Sequence, residues 1–88
     1  MRFKIEVGEL ERHTIDFNFS QLAGNLEISV DDKLIVQSKR LMNEPIREVY
    51  DLVIGESERI AVRIEKQRKP LFGHRRRVWI NNRLTQAD

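Results

Sequence analysis

The chain has 88 residues, no cysteine, and 16 Lys/Arg against 14 Asp/Glu, for a formal net charge of +2. That length makes one domain, 1–88, whose small core buries about 60–65% of the unfolded surface. The missing thiols exclude a disulfide framework and a thiolate metal site. No stretch approaches the roughly 20 apolar residues of a membrane span, and the N-terminus has no apolar run of signal length, so a cytoplasmic protein with no membrane span is expected.

Charge is unevenly divided. Residues 1–58 carry seven Lys/Arg and twelve Asp/Glu, a net of −5, and residues 59–88 carry nine and two, a net of +7. Such asymmetry marks either a face that meets something acidic or two halves that attract each other.

Taken in order, residues 2–7 alternate, with Phe3, Ile5 and Val7 on one face and Arg2, Lys4 and Glu6 on the other, the pattern of a half-buried strand. Gly8 ends it. Residues 12–19 repeat the pattern with Ile15, Phe17 and Phe19 inward, after a link short enough for a hairpin. A loop over 20–25 follows, with Gly24 as its flexible point. Leu26, Ile28 and Val30 mark the strand at 25–31, and Asp31-Asp32 suits a tight two-residue turn because Asp tolerates left-handed backbone. The return strand at 33–40 puts Leu34 and Val36 inward and Ile35 on the other side, where a loop, a second copy or solvent meets it.

Two periods compete over 41–54. Ile46, Val49, Tyr50 and Val53 fit a helix capped by Asn43 with Pro45 in its first turn. Tyr50, Leu52 and Ile54 alternate instead, and 49–54 is rich in β-branched and aromatic residues. The strand is preferred, over 47–54, with 41–45 as its connection. A turn at 55–58 leads to strands at 59–68 and 74–80, then an Asn81-Asn82 turn and a last strand at 83–86. An alternating strand, an Asx turn and a return strand occur at both 26–36 and 76–86, a loose echo that ordinary meander grammar explains. The expected fold is all-β: an antiparallel sandwich or flattened barrel of about seven to eight short strands.

The residues at 13–35, HTIDFNFSQLAGNLEISVDDKLI, resemble the pattern of the Fas apoptotic inhibitory molecule family. The elements are His13, Ile15, Phe17, Gly24, Val30 and Asp31, and YDLVIG at 50–55 with RIAVRIE and VWINNRL looks like the same family's later strands. Asp32 stands where the family's turn usually has Gly, and the animal proteins carry two such domains. The resemblance implies a non-enzymatic antiparallel β-sandwich that works through protein contacts. The animal family is associated with protection from apoptosis and with restraint of protein aggregation.

Catalytic chemistry has little to stand on. His13 and His74 have no companion at metal-ligand spacing, and His13 reads as a surface or rim residue at the start of a strand. Asp31 and Asp32 point apart on a turn, and no serine sits in a nucleophile elbow. No enzyme activity, cofactor, metal or small-molecule substrate is therefore expected.

The stretch 66–77 has more content. Lys66, Arg68, Lys69, Arg75, Arg76 and Arg77 lie within twelve residues, with His74 among them. Leu71 and Phe72 form an apolar tip, and Trp79 lies on the opposite side of its strand from Val78 and Ile80. These ten residues are the candidate partner-binding set. A protein partner or self-association is the first expectation. A nucleic acid is the alternative, since grouped cations displace counterions from phosphates. The structural explanation is that long basic side chains guard a sheet edge, with Glu6, Glu48 or Asp51 neutralising part of the charge across strands.

Overall fold

A computed structural model of the protein describes residues 1–39 and 44–87. Its eight strands are antiparallel and form two four-stranded sheets, so the all-β expectation holds, strand for strand. Asn43 as a helix cap, the connection at 41–43 and Arg40 as a strand end lie outside the described residues. The ambiguous segment is strand β5, Arg47–Ile54. The chain divides into two compact units, Met1–Val7 with Arg12–Glu44 and Gly8–Glu11 with Pro45–Asp88.

The first unit is a meander of β1 (Arg2–Val7), β2 (His13–Ser20), β3 (Asn25–Val30) and β4 (Lys33–Lys39), in that order across the sheet. Period-2 alternation turns Phe3, Ile5, Val7, Ile15, Phe17, Phe19, Leu26 and Ile28 to one face, where all are buried. Phe3 and Phe17 are register partners, and their rings stack with centroids 4.9 Å apart and planes 17° from parallel. Each fully buried side chain of this size contributes about 1.5–3 kcal/mol.

The second unit repeats the plan with β5, β6 (Ile60–Arg68), β7 (His74–Ile80) and β8 (Arg83–Ala87), again in chain order. Ile54, Ile60, Val62, Ile64 and Val78 are its buried apolar residues. The likeness reaches single residues. Gly8 and Gly55 end the first strands at φ 97° and 98°, and Asp31-Asp32 and Asn81-Asn82 close the last hairpins at φ 50° and 66° against 51° and 67°. Asp31 N–H donates to the Thr14 carbonyl, and Asn81 N–H to that of Ala61, both at 2.8 Å. Asp31 Oδ1 accepts from Thr14 N–H at 2.9 Å, and Asn81 Oδ1 from Ala61 N–H at 3.0 Å. The echo of Asx hairpins thus extends over the whole meander.

Both closing hairpins carry a bulge, and the first corrects a side-chain assignment. Ile28 pairs with Val36 but Ser29 pairs with Leu34, so Ile35 is the extra residue and Leu34 lies opposite Ser29. Leu34 therefore leaves the buried side and is 45% exposed, because one inserted residue reverses the alternation that follows it. The corresponding shift falls at Val78/Trp79, where Thr85 is the extra residue and its hydroxyl donates to the Val78 carbonyl at 3.0 Å.

Within the second unit two turns hold each other by their carboxylates. Glu58 Oε1 accepts from the N–H groups of Glu9, Leu10 and Glu11 at 2.9–3.1 Å. The Glu11 carboxylate accepts from those of Glu56, Ser57 and Glu58 at 2.7–3.2 Å. Both turns read Gly-Glu-x-Glu, so the same local backbone makes a cradle of amides and supplies the carboxylate for the other. The bonds from Glu11 N–H, then Glu9 and Leu10, hold the Glu58 carboxyl below its ordinary value.

Candidate partner-binding hairpin

β6 and β7 pair in the register Glu65 with Arg77, Lys66 with Arg76, Gln67 with Arg75 and Arg68 with His74. Beyond them the chain turns at Gly73, which takes φ 91° and accepts the Lys69 N–H at 3.0 Å. Arg68 N–H donates to the Ile46 carbonyl at 2.7 Å and ties the neck to the segment before β5.

Strand alternation divides the basic residues instead of joining them. Lys66, Arg68, His74 and Arg76 belong to the face that carries Ile64 and Val78, whereas Arg75, Arg77 and Trp79 belong to the other. Lys66 is the clear departure from the sequence expectation. It is wholly buried, next along the strand face after Ile60, Val62 and Ile64, and does not reach the surface of the hairpin. Its Nζ lies 3.2 Å from Oε1 of Glu48, its register partner on β5, and Glu48 Oε2 accepts the Tyr50 hydroxyl at 2.6 Å. A buried ammonium is tolerable only with such an opposite charge at hand. Arg76, opposite Lys66, and His74, opposite Arg68, are half-buried.

On the other face Glu65 is 2% exposed although its alternation points it away from the apolar residues. Arg47 covers it, with Nη2 at 2.6 Å and Nε at 2.7 Å from Oε2, and Arg77 Nη1 lies 3.7 Å from Oε1. Arg77 is thereby committed to an internal carboxylate. Trp79 is half-buried, opposite Arg63 on β6 and Leu84 on β8. Asp51 binds Arg63 at 2.7 Å and holds its guanidinium above the ordinary value. Of the three carboxylates expected to neutralise charge, Glu48 pairs with Lys66, Asp51 with Arg63, and Glu6 with Arg12 at 3.2 Å.

Three cations of the candidate set remain for solvent. Arg68, Lys69 and Arg75 are exposed, and among the described residues no carboxylate lies within ion-pair distance of them. With Gln67 and Pro70 they line an open recess of about 260 Å³ at the neck of the turn. Leu71 and Phe72 project beyond it, 89% and 76% exposed. The structure therefore keeps Arg68, Lys69, Leu71, Phe72 and Arg75 together, and removes Lys66 and Arg77 to ion pairs.

Sequence reasoning missed Glu65, Gln67 and Pro70. Glu65 had a signal: it is one of two acidic residues in 59–88, and a hairpin centred on 71 puts it opposite Arg77. His13 takes the rim position expected of it, its ring bound to the Asp31 carboxylate at the end of β3. Family models, curated proteins and solved structures contain no match to this chain, so the hairpin has to be interpreted from its own geometry.

Proposed function

We propose that the protein is a non-enzymatic β-module that binds another protein through the tip of the β6–β7 hairpin. One observation carries the proposal: Arg68, Lys69 and Arg75, without internal carboxylates, surround the neck of a turn whose Leu71 and Phe72 stand in solvent. Large exposed apolar side chains beside unspent charge are what a recognition surface requires and a structural edge does not. The resemblance to the Fas apoptotic inhibitory molecule family supports the same reading, since that family works through protein contacts. A protein partner is preferred to a nucleic acid because a phosphate backbone rewards a continuous track of cations. Here Lys66 is buried, Arg77 is shared with Glu65 and Arg76 is half-buried, so the exposed cations are confined to the neck of one turn.

The test is retention of partners by the full chain, with bound proteins identified by mass spectrometry, for the parent and for Leu71→Ser/Phe72→Ser. A partner held by the parent and lost by the double variant supports the proposal. Sedimentation over a range of concentrations reads self-association in the same pair. Equal retention by parent and variant, with no self-association, overturns it.

A further inference from the structure

We infer that the recess at the neck of this hairpin is an oxyanion site, for a carboxylate or phosphate group carried on the partner's chain. The inference rests on the hairpin being the contact surface and adds the chemistry of what it recognises. Arg68, Lys69, Arg75 and Gln67 line one open volume of about 260 Å³ with Pro70, and their side chains are long enough to bring guanidinium, ammonium and amide donors to it. An oxyanion accepts several such donors at once, and guanidinium pairs bind it in two-point fashion. Among the described residues no acidic side chain lies within ion-pair distance of these cations: Glu65, the nearest carboxylate along β6, is engaged by Arg47 and Arg77.

The first unit shows that the fold does not need these cations. Its corresponding loop, between β2 and β3, is closed by Gly24 N–H donating to the Ser20 carbonyl at 2.6 Å and by Ala23 N–H on the Ser20 hydroxyl. Leu22 is 95% exposed there, and no Lys or Arg is present from 20 to 25. A meander of the same plan thus closes with an exposed leucine alone. The cations and Phe72 are additions peculiar to the second turn. Pro70 fixes one backbone angle of that turn and lowers the entropy lost when a ligand settles on it. The group recognised is accordingly an acidic or phosphorylated side chain followed by apolar residues that reach Leu71 and Phe72.

Inorganic phosphate is titrated into the full chain at constant ionic strength while backbone amide shifts are followed. Saturable shifts confined to residues 67–75, weakened at least tenfold by Arg75→Gln and by Lys69→Gln but not by Arg2→Gln, support the site. Two side-chain variants keep the comparison intact if one of them does not fold. Capped peptides carrying two glutamates, two phosphoserines or two glutamines before a Leu-Leu pair then separate the sources. Either acidic peptide binding at 67–75 above the glutamine peptide identifies its group. The inference is overturned if phosphate shifts nothing at 67–75, or moves amides near Arg2, Lys4 and Arg83 equally. It is overturned as well if a single-stranded oligonucleotide binds there in preference to every peptide. Partner loss in Leu71→Ser/Phe72→Ser with no anion response leaves the contact function standing and removes only the recess.

Discussion

The two meanders use one backbone plan and fill it differently. Their turns agree to within a few degrees at Gly8 and Gly55 and at the paired Asx residues, and both closing hairpins carry a bulge at the corresponding place. The buried face of the first is wholly apolar through Phe3, Phe17 and Phe19. In the second, Tyr50, Ile64 and Lys66 stand at the corresponding positions, and Glu48 lies opposite Lys66. Turn geometry is therefore the conserved requirement of this architecture, since only Gly or Asx residues adopt those positive φ angles readily. Side-chain chemistry is the variable part. The second unit spends that freedom on a buried ion pair and a cationic turn.

The sharpest way to break the comparison is at Lys66. Lys66→Met keeps the volume but leaves the Glu48 carboxylate, 9% exposed, without its ammonium, and we expect a loss of about 3–5 kcal/mol. The double variant Glu48→Leu/Lys66→Met makes the second buried face resemble the first and should recover at least about 2 kcal/mol of that loss. Recovery is incomplete because the Tyr50 hydroxyl then loses its 2.6 Å acceptor. Urea midpoints of the wild type, both single variants and the double close the cycle. Additive losses would show that the pair is not coupled and that the two faces differ only in composition.

Glycine substitutions come next. A Cβ at Gly55 would lie 2.1 Å from the Glu58 carbonyl oxygen, at φ +98°. Gly55→Ala should cost about 2–4 kcal/mol, because the turn must move as well as adopt a strained φ. At Gly73 the nearest atom is Lys69 Cδ, at an ordinary 3.7 Å. Gly73→Ala bears only the backbone term, about 1–2 kcal/mol. Equal thermal shifts in the two variants would refute the difference in crowding.

Acid should open the Glu58 side of the paired turns. The folded-state pKa of Glu58 lies below its ordinary value of 4.5. Its stabilisation is thus complete above that ordinary value and is lost as pH falls through the lowered one. Amide exchange at Glu9, Leu10 and Glu11 reads this directly, after correction for intrinsic rates. Protection is expected to decline across that acid window in the wild type and to be low and nearly flat in Glu58→Gln, whose neutral amide is a weaker acceptor. A wild-type profile as flat as that of the variant would rule out titration of this carboxylate as the cause.

How much of this was legible follows from the range of each interaction. The strands were readable because Ile15, Phe17 and Phe19 or Ile60, Val62 and Ile64 repeat every second residue, and one buried face imposes that period. The Asx turns were readable because their chemistry is local. Lys66 was not, since burial of an ammonium depends on Glu48 in another strand, and the register that joins them has no mark in either segment alone. The bulge at Ile28/Ser29 likewise escaped notice and misdirected Leu34, because an inserted residue in a strand leaves the composition unchanged. The basic stretch looked continuous in sequence. Two internal carboxylates, Glu48 and Glu65, and the partial burial of Arg76 reduced it to Arg68, Lys69 and Arg75.

The smallest expected effect isolates one of the two charged differences between the matched Asx turns, Asp31 against Asn81. Asp31 and Asn81 cap Thr14 and Ala61 alike through Oδ1, but only Asp31 also binds a histidine, His13, where the second unit has Ile60. Asp31→Asn preserves the acceptor and suits positive φ at least as well, so it removes the charge and little else. The Asp31 side chain is half-exposed, and the pair should be worth roughly 0.5–1 kcal/mol at moderate ionic strength. Asn81→Asp retains its cap and gains no histidine, so its change should stay within about 0.5 kcal/mol. Urea midpoints at low and high salt, taken at a pH where the His13 ring carries a proton, check both. The Asp31→Asn loss should shrink as salt screens the pair, and a loss independent of salt would assign it to the turn and not to His13.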